Sequence, residues 1–202
     1  TSVAAPKVTG LVALVRNAWV SLGQPSIQDP DWLLANTLLM TDGWGAASGG
    51  VTQSRFDIRT GAGRVHAWIL NSTSLVAPWG WGCHAFTMTA AGQSQTFTVG
   101  DSGPESPSIS QWKAAMYFIE PHHDNAADID ISVEDTCPPG GGPPVTVAVD
   151  SGRDSRSRLR LTSASIANKC LRVKIYAIHI PQGQARDVFA CDYYHSGPLE
   201  NH

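Results

Sequence analysis

The chain has 202 residues, a formal net charge of −3, 42% hydrophobic residues and only 15% charged ones. That balance carries none of the basic excess that marks a nucleic-acid or membrane-surface partner. The longest apolar run, near residues 8 to 20, is broken by Gly10, Arg16 and Asn17, which is too interrupted for a transmembrane helix.

Residues 2 to about 22 read as a helix, because Val8, Leu11, Val12, Val15, Ala18 and Trp19 recur at spacings of three and four. Pro6 is tolerated only near a helix start, where backbone N–H groups lack intrahelical partners, so the helix begins close to Ser2. Gly10 lowers helix propensity and marks a close approach by another element. The helix is apolar nearly all round, which predicts burial on every side. Asp29-Pro30 opens a second helix over about 30 to 41, carrying Trp32, Leu33, Leu34, Leu38 and Leu39. Residues 42 to 63 read as a glycine-rich loop, and 63 to 70 as a short helix.

After Leu70 the texture changes to short alternating runs punctuated by proline, glycine and serine. Eight strands are predicted, within 84–90, 95–100, 113–120, 127–135, 145–150, 157–163, 171–180 and 187–194. Such a series argues for a β-sandwich or jelly roll. The run PPGGGPP, 138–144, is read as an interstrand loop, because strands continue beyond it.

Cys83, Cys137, Cys170 and Cys191 show no CxxC spacing, which argues against zinc. An even count in a lysine-poor chain with seven tryptophans points to disulfides and an exported protein, the competing reading being four buried thiols in the cytosol. Of the three possible pairings, Cys83–Cys137 with Cys170–Cys191 is expected, since the second pair flanks a hairpin centred near Gln182 and Gly183. Asn71-Ser72-Thr73 is a glycosylation sequon, relevant only in a eukaryotic secretory route.

Asp128 and Asp130 lie two residues apart, so both point to one strand face while Ile129, Ile131 and Val133 fill the other. Paired carboxylates on an exposed face could hold a structural calcium ion; a polar strand face is the plainer reading. His122, His123 and Asp124 could bind a metal, but read better as a solvated turn. Arg153, Arg156, Arg158 and Arg160 look basic, yet Leu159 and Leu161 alternate with the last two, as on a half-exposed strand.

Ser2, at the mouth of the first helix, has a use in catalysis, because helix dipole and free N–H groups favour an oxyanion there. For an ordinary helix the plainer reading is an N-cap serine. The surrounding TSVAAPKVTG resembles the nucleophile segment of the subtilisin-like serine proteases, commonly G-T-S-M-A-A-P-H-V-A-G. Thr1, Ser2, Ala4, Ala5, Pro6, Val8 and Gly10 match, while Val3, Lys7 and Thr9 depart from it. The resemblance runs through LLANTLLMTDG to GAGRVHAW, similar to the closing segment of that catalytic domain, and covers roughly residues 1 to 70. Further on, KAAMYFIEPHHDNAADIDISVED and LRVKIYAIHIPQGQARDVFAC resemble, more loosely, parts of the C-terminal jelly-roll domains of some subtilases.

The resemblance implies an α+β chain in which residues 1–70 are the helical C-terminal portion of a subtilisin-like α/β catalytic domain and 71–202 an antiparallel β-sandwich. It implies a serine endopeptidase with Ser2 as the acylating nucleophile, and no cofactor for the chemistry. The family's Asp, His and oxyanion-hole Asn precede the serine in sequence, so they are expected upstream of Thr1, along with any targeting segment. This chain alone should then be inert, and its expected partners are that upstream portion and a peptide or protein substrate. The contrasting reading is a non-catalytic binding or structural protein built on a degenerate subtilase scaffold. A third, Thr1 as an N-terminal nucleophile, is set aside because the motif already accounts for Thr1 as the residue before the serine.

Overall fold

Two kinds of apolar pattern in the strands set the architecture. The computed structural model describes residues 4–21, 29–41, 51–53, 79–98, 109–120, 125–151, 155–166 and 168–196. Helices α1 (Ala4–Ser21) and α2 (Pro30–Leu39) come first, then strands β1 (Val51–Gln53), β2 (Trp79–Met88), β3 (Ser94–Thr98), β4 (Ile109–Phe118) and β5 (Asp128–Asp135). They are followed by β6 (Val145–Asp150), β7 (Arg156–Thr162), a single helical turn Ser163–Ile166, β8 (Leu171–His179) and β9 (Arg186–Ser196). All eight strands expected beyond residue 70 are present, and β1 arises in a stretch read as loop. The expected helix over 63–70 lies outside the described residues.

A larger sheet has the order β1-β7-β4-β9-β2 and a smaller one the order β3-β8-β5-β6, all pairs antiparallel. From β2 to β9 the chain passes back and forth between the sheets, the winding of a jelly roll. In β5, Ile129, Ile131 and Val133 alternate with polar residues and point inward. They meet Trp112, Met116, Phe118, Leu159 and Val188 of the larger sheet in one buried core. His84 stacks on Phe97 at 4.1 Å between centroids, closing the gap between edge strands β2 and β3.

The middle strands of the larger sheet are apolar on both faces, as in Ala114-Ala115-Met116-Tyr117-Phe118 and Val188-Phe189-Ala190-Cys191, which requires cover on the outer side as well. Helices α1 and α2 provide it. Trp32, Ala35, Leu38 and Leu39 of α2, with Val15 and Trp19 of α1, form a second core with Ala115, Phe189, Cys191 and Tyr193. The expected fold class, a helical catalytic-domain portion followed in sequence by a sandwich, is therefore corrected. The described residues form a sandwich of two antiparallel sheets, and the helices are an outer layer on one of them. Burial of α1 on all sides is corrected too, because Val15 and Trp19 are buried while Val8, Leu14 and Val20 are exposed.

Both disulfides form, but with different partners from those expected. Cys83 pairs with Cys191 and Cys137 with Cys170. The reason is the connection over 180–185, which is not a hairpin: β8 belongs to the smaller sheet and β9 to the larger, so Cys170 and Cys191 part company. Cys83 instead faces Cys191 directly across the β2–β9 ladder. Cys137 and Cys170 lie just beyond the Asp135–Leu171 register pair that ends the β5–β8 ladder, where Asp135 Oδ1 accepts both their backbone N–H groups.

Non-reducing peptide mapping should recover Cys83 linked to Cys191 and Cys137 linked to Cys170. Ile131→Ala, deep between the sheets, should lower unfolding free energy by roughly 2 to 5 kcal/mol in denaturant titration. Val145→Ala, on a half-exposed site, should change it by about 0.5 kcal/mol or less.

Candidate functional site

Ser2, the expected nucleophile, lies outside the described residues, as do His122, His123, Asp124, Arg153 and the sequon at Asn71. The described part of α1 starts at Ala4 and has no acidic residue in its first turn. Nothing on that turn opposes a negative charge placed before it. Added atoms at Gly10 would meet nothing within 4 Å, so the close approach expected there is not made by any described part of the chain.

Helix α2 is built to present one polar side chain to the sheet. Asp29 caps its N-terminus by accepting the Asp31 N–H at 2.8 Å, and Pro30 occupies the first turn. The cap fixes the helix phase so that Trp32, Ala35, Asn36 and Leu39, spaced i, i+3, i+4 and i+7, face the larger sheet. Asn36 is buried directly over the Cys83–Cys191 bridge. Its Nδ2 donates to the Trp32 carbonyl at 3.0 Å and points at Sγ of Cys191 (3.2 Å) and of Cys83 (3.4 Å). Its Oδ1 accepts from the Trp81 indole N–H at 2.9 Å. Trp81 in turn meets Trp19 of α1 edge-on at 4.8 Å, and Trp19 meets Trp32 at 5.2 Å. Sequence reasoning missed this cluster. The available signal was a lone asparagine at a core position of an otherwise apolar helix.

The other candidate residues lie on the outer face of the smaller sheet. Asp128, Asp130, Ser132 and Glu134 of β5 lie there, with Asp130 opposite Tyr176, Ser132 opposite Lys174 and Glu134 opposite Arg172 on β8. Arg172 donates twice to Glu134 Oε2, at 2.6 and 3.2 Å, and the Lys174 ammonium sits 3.5 Å from Oε1. Burial pushes the Glu134 carboxyl up, but these two cations outweigh it and hold it below its ordinary range.

Asp128 and Asp130 do share a face, as expected, but that face is not open at Asp130, which is completely buried. Among the described residues, the side-chain hydrogen bond it receives comes from the Tyr176 hydroxyl, opposite it on β8. Burial pushes Asp130 up to about 6, against the Tyr176 hydrogen bond and with help from Asp128 and Asp150. Tyr176 is pushed up to about 12, first by burial and then by Asp130. Among the described residues no group of three or more His, Cys, Asp or Glu side chains gathers in ligand geometry. Asp128 and Asp130 thus furnish only part of the six to eight oxygens that calcium takes.

Arg156, Arg158 and Arg160 alternate on the outer face of β7. Arg158 is fully buried beneath the end of α2, where its Nη1 donates to the Thr41 hydroxyl. The reading of a half-exposed strand is therefore too simple at this position. No described helix is long and apolar enough to cross a membrane.

No protein-family model matches the chain, and no curated protein matches it. Among solved structures it is similar to a mitogen derived from Yersinia pseudotuberculosis, at 11% identity and a TM-score of 0.39, over 60% of this chain and 91% of that one. It is also similar to a structure described as Bacillus endospore appendages, a family of disulfide-linked pili, at 10% identity and a TM-score of 0.29, over 59% and 89%. These likenesses are loose, and the fold described above rests on the strand pairing of this chain.

Asp130 gives a pH dependence of defined sign. Its folded-state value, about 6, lies above the ordinary carboxylate value near 3.9. The charged form is disfavoured in the fold, so this group's contribution to stability is fullest below about pH 4 and is lost as pH rises through about 6. Asp130→Asn should therefore raise the melting temperature at pH 8, with the gain shrinking toward pH 4. Melting curves across that range check it, and a gain that grew on acidification would contradict the assignment.

Proposed function

We propose that the chain is the serine-bearing portion of a subtilisin-like endopeptidase, with Ser2 as the nucleophile. The observation that carries the reading is the Thr1-Ser2-Val3-Ala4-Ala5-Pro6 motif running directly into α1, whose described part starts at Ala4. In the mechanism this implies, the Ser2 hydroxyl attacks the scissile carbonyl and passes its proton to a histidine, which hands it to the departing amine. Water then cleaves the acyl ester. The helix N-terminus contributes positive potential where the oxyanion forms, and an acid-free first turn leaves that potential undiminished.

None of the seven histidines stands where the family's base would be. The reading therefore needs a partner portion supplying Asp, His and the oxyanion Asn. Two features favour one. Val8, Leu14 and Val20 leave apolar surface of α1 uncovered, at 39%, 58% and 44% exposure. Open space at Gly10 leaves room for a neighbour. Two disulfides suit an oxidising compartment, and we place the protein outside the cell. A calcium ion at Asp128 and Asp130, if bound, is structural and takes no part in the chemistry.

A fluorophosphonate probe should label Ser2 when the Asp- and His-bearing portion is bound, and not in the chain alone. Ser2→Ala should abolish both labelling and casein cleavage in the assembled protein while leaving its melting temperature within about 2 °C, since the site is at a helix end. An assembled protein with an intact Asp, His and Asn set that neither labels nor cleaves would return the chain to the class of binding or structural proteins.

A further inference from the structure

We propose that the Cys83–Cys191 bridge is a redox-controlled latch for the helical layer: reduction by an external dithiol releases α1 and α2 from the larger sheet and leaves the sandwich folded. The inference is independent of what Ser2 does.

Position is the first argument. The bridge joins residues already opposed in the β2–β9 ladder, within an unbroken register from Trp79–His195 to Met88–Arg186. The strands are held by their own hydrogen bonds, so the sheet does not need the bridge to stay paired. What rests on the bridge is the helical layer. Both sulfurs lie under the Asn36 amide, Asn36 is held by Trp81, and Trp81 carries Trp19.

Sterics and chemistry follow from that position. Two thiols cannot keep the spacing of a bonded pair; they part to van der Waals contact and acquire S–H hydrogens. The nearest contacts to yield are those of Asn36, in a close-packed interface that does not deform gradually. Exchange has a defined entry point, because Cys83 is half-buried whereas Cys191 is fully buried. The dithiol's thiolate bonds to Cys83 Sγ, the Sγ–Sγ bond breaks, and Cys191 leaves as thiolate with the Asn36 Nδ2–H, 3.2 Å away, stabilising the charge. The reagent's second thiol then displaces Cys83 and closes the reagent's own disulfide. Two electrons pass from dithiol to bridge, and the dithiol's two protons end on Cys83 and Cys191. The Cys137–Cys170 bridge ties loop ends beyond β5 and β8 and has none of these contacts with the helices.

The test uses the full chain and a Cys137→Ser/Cys170→Ser variant that keeps only the latch, each equilibrated in graded dithiothreitol buffers. Differential alkylation reads the state of Cys83 and Cys191, and hydrogen exchange reads protection by segment. As those two cysteines become reducible, amides of residues 30–39 should lose most of their protection, while those of 129–133 and 173–177 keep theirs. The exciton circular dichroism of the Trp19–Trp32–Trp81 cluster should fall in the same transition. A Cys83→Ala/Cys191→Ala variant, which has no thiol pair to part, should keep residues 30–39 protected with or without reductant, and Asn36→Ala should slow exchange at the bridge. Retained protection over 30–39 after full reduction would overturn the proposal. So would loss of protection throughout the sandwich in the same step, or a bridge that resists dithiothreitol in the native protein.

Discussion

A buried amide must place both its donors and its acceptor, and Asn36 does so only where three elements meet. The Trp32 carbonyl is on its own helix, the sulfurs are on β2 and β9, and the indole N–H comes from Trp81 on β2. Moving α2 along the sheet by one turn would strand the amide in an apolar interface, at a penalty of about 1 to 3 kcal/mol. Apolar burial drives the helix down onto Ala115, Phe189 and Tyr193, but burial alone has little directional preference. The amide supplies the direction. Through Trp81 and Trp19 the same constraint reaches α1.

The two outer faces of the sandwich solve opposite problems. On the larger sheet the outer face is apolar and is covered by helices. On the smaller sheet it is a polar ladder in which Asp130, Ser132 and Glu134 of β5 face Tyr176, Lys174 and Arg172 of β8. Opposed charges on adjacent strands stabilise pairing where side chains are close. Glu134 fits this scheme, with two cations against it, and Asp130 does not. A buried carboxyl held near 6 weakens the fold at neutral pH, and the opposed-charge pairing does not explain the presence of Asp130.

Much of this was legible in the residues. Alternation of Ile129, Ile131 and Val133 with polar residues marked β5 and its inward face, the three-and-four spacing marked α1, and the Asp29-Pro30 opening with the apolar residues after it marked α2. Local periodicity cannot say what lies above a face, however. The apolar stripe of α2 fits a catalytic-domain interior as well as the back of a β-sheet, and the same blindness hid the burial of Asp130. The disulfides failed for a related reason. The turn residues around Gly183 announce a reversal of direction, and a reversal within one sheet and a crossing between two have the same local chemistry. Asn36 carried the clearest unread clue, a polar residue on the buried stripe of an apolar helix.

The winding of the strands also has a temporal side. β9 is the last of the described strands in chain order, yet it lies between β4 and β2 in the interior of the larger sheet. On a ribosome or during translocation, β2 emerges more than a hundred residues before its partner, since the cysteines they carry are 108 apart. Through that interval β2 and β4 have no strand between them, and Cys83 meets Cys137 and Cys170 before its native partner exists. Sheet closure is thus deferred until β9 has emerged, in the slow, non-local regime of assembly. Early mispairing of Cys83 would have to be undone by thiol exchange, and it is avoided when Cys137 and Cys170 find each other first, across a gap of only 33 residues.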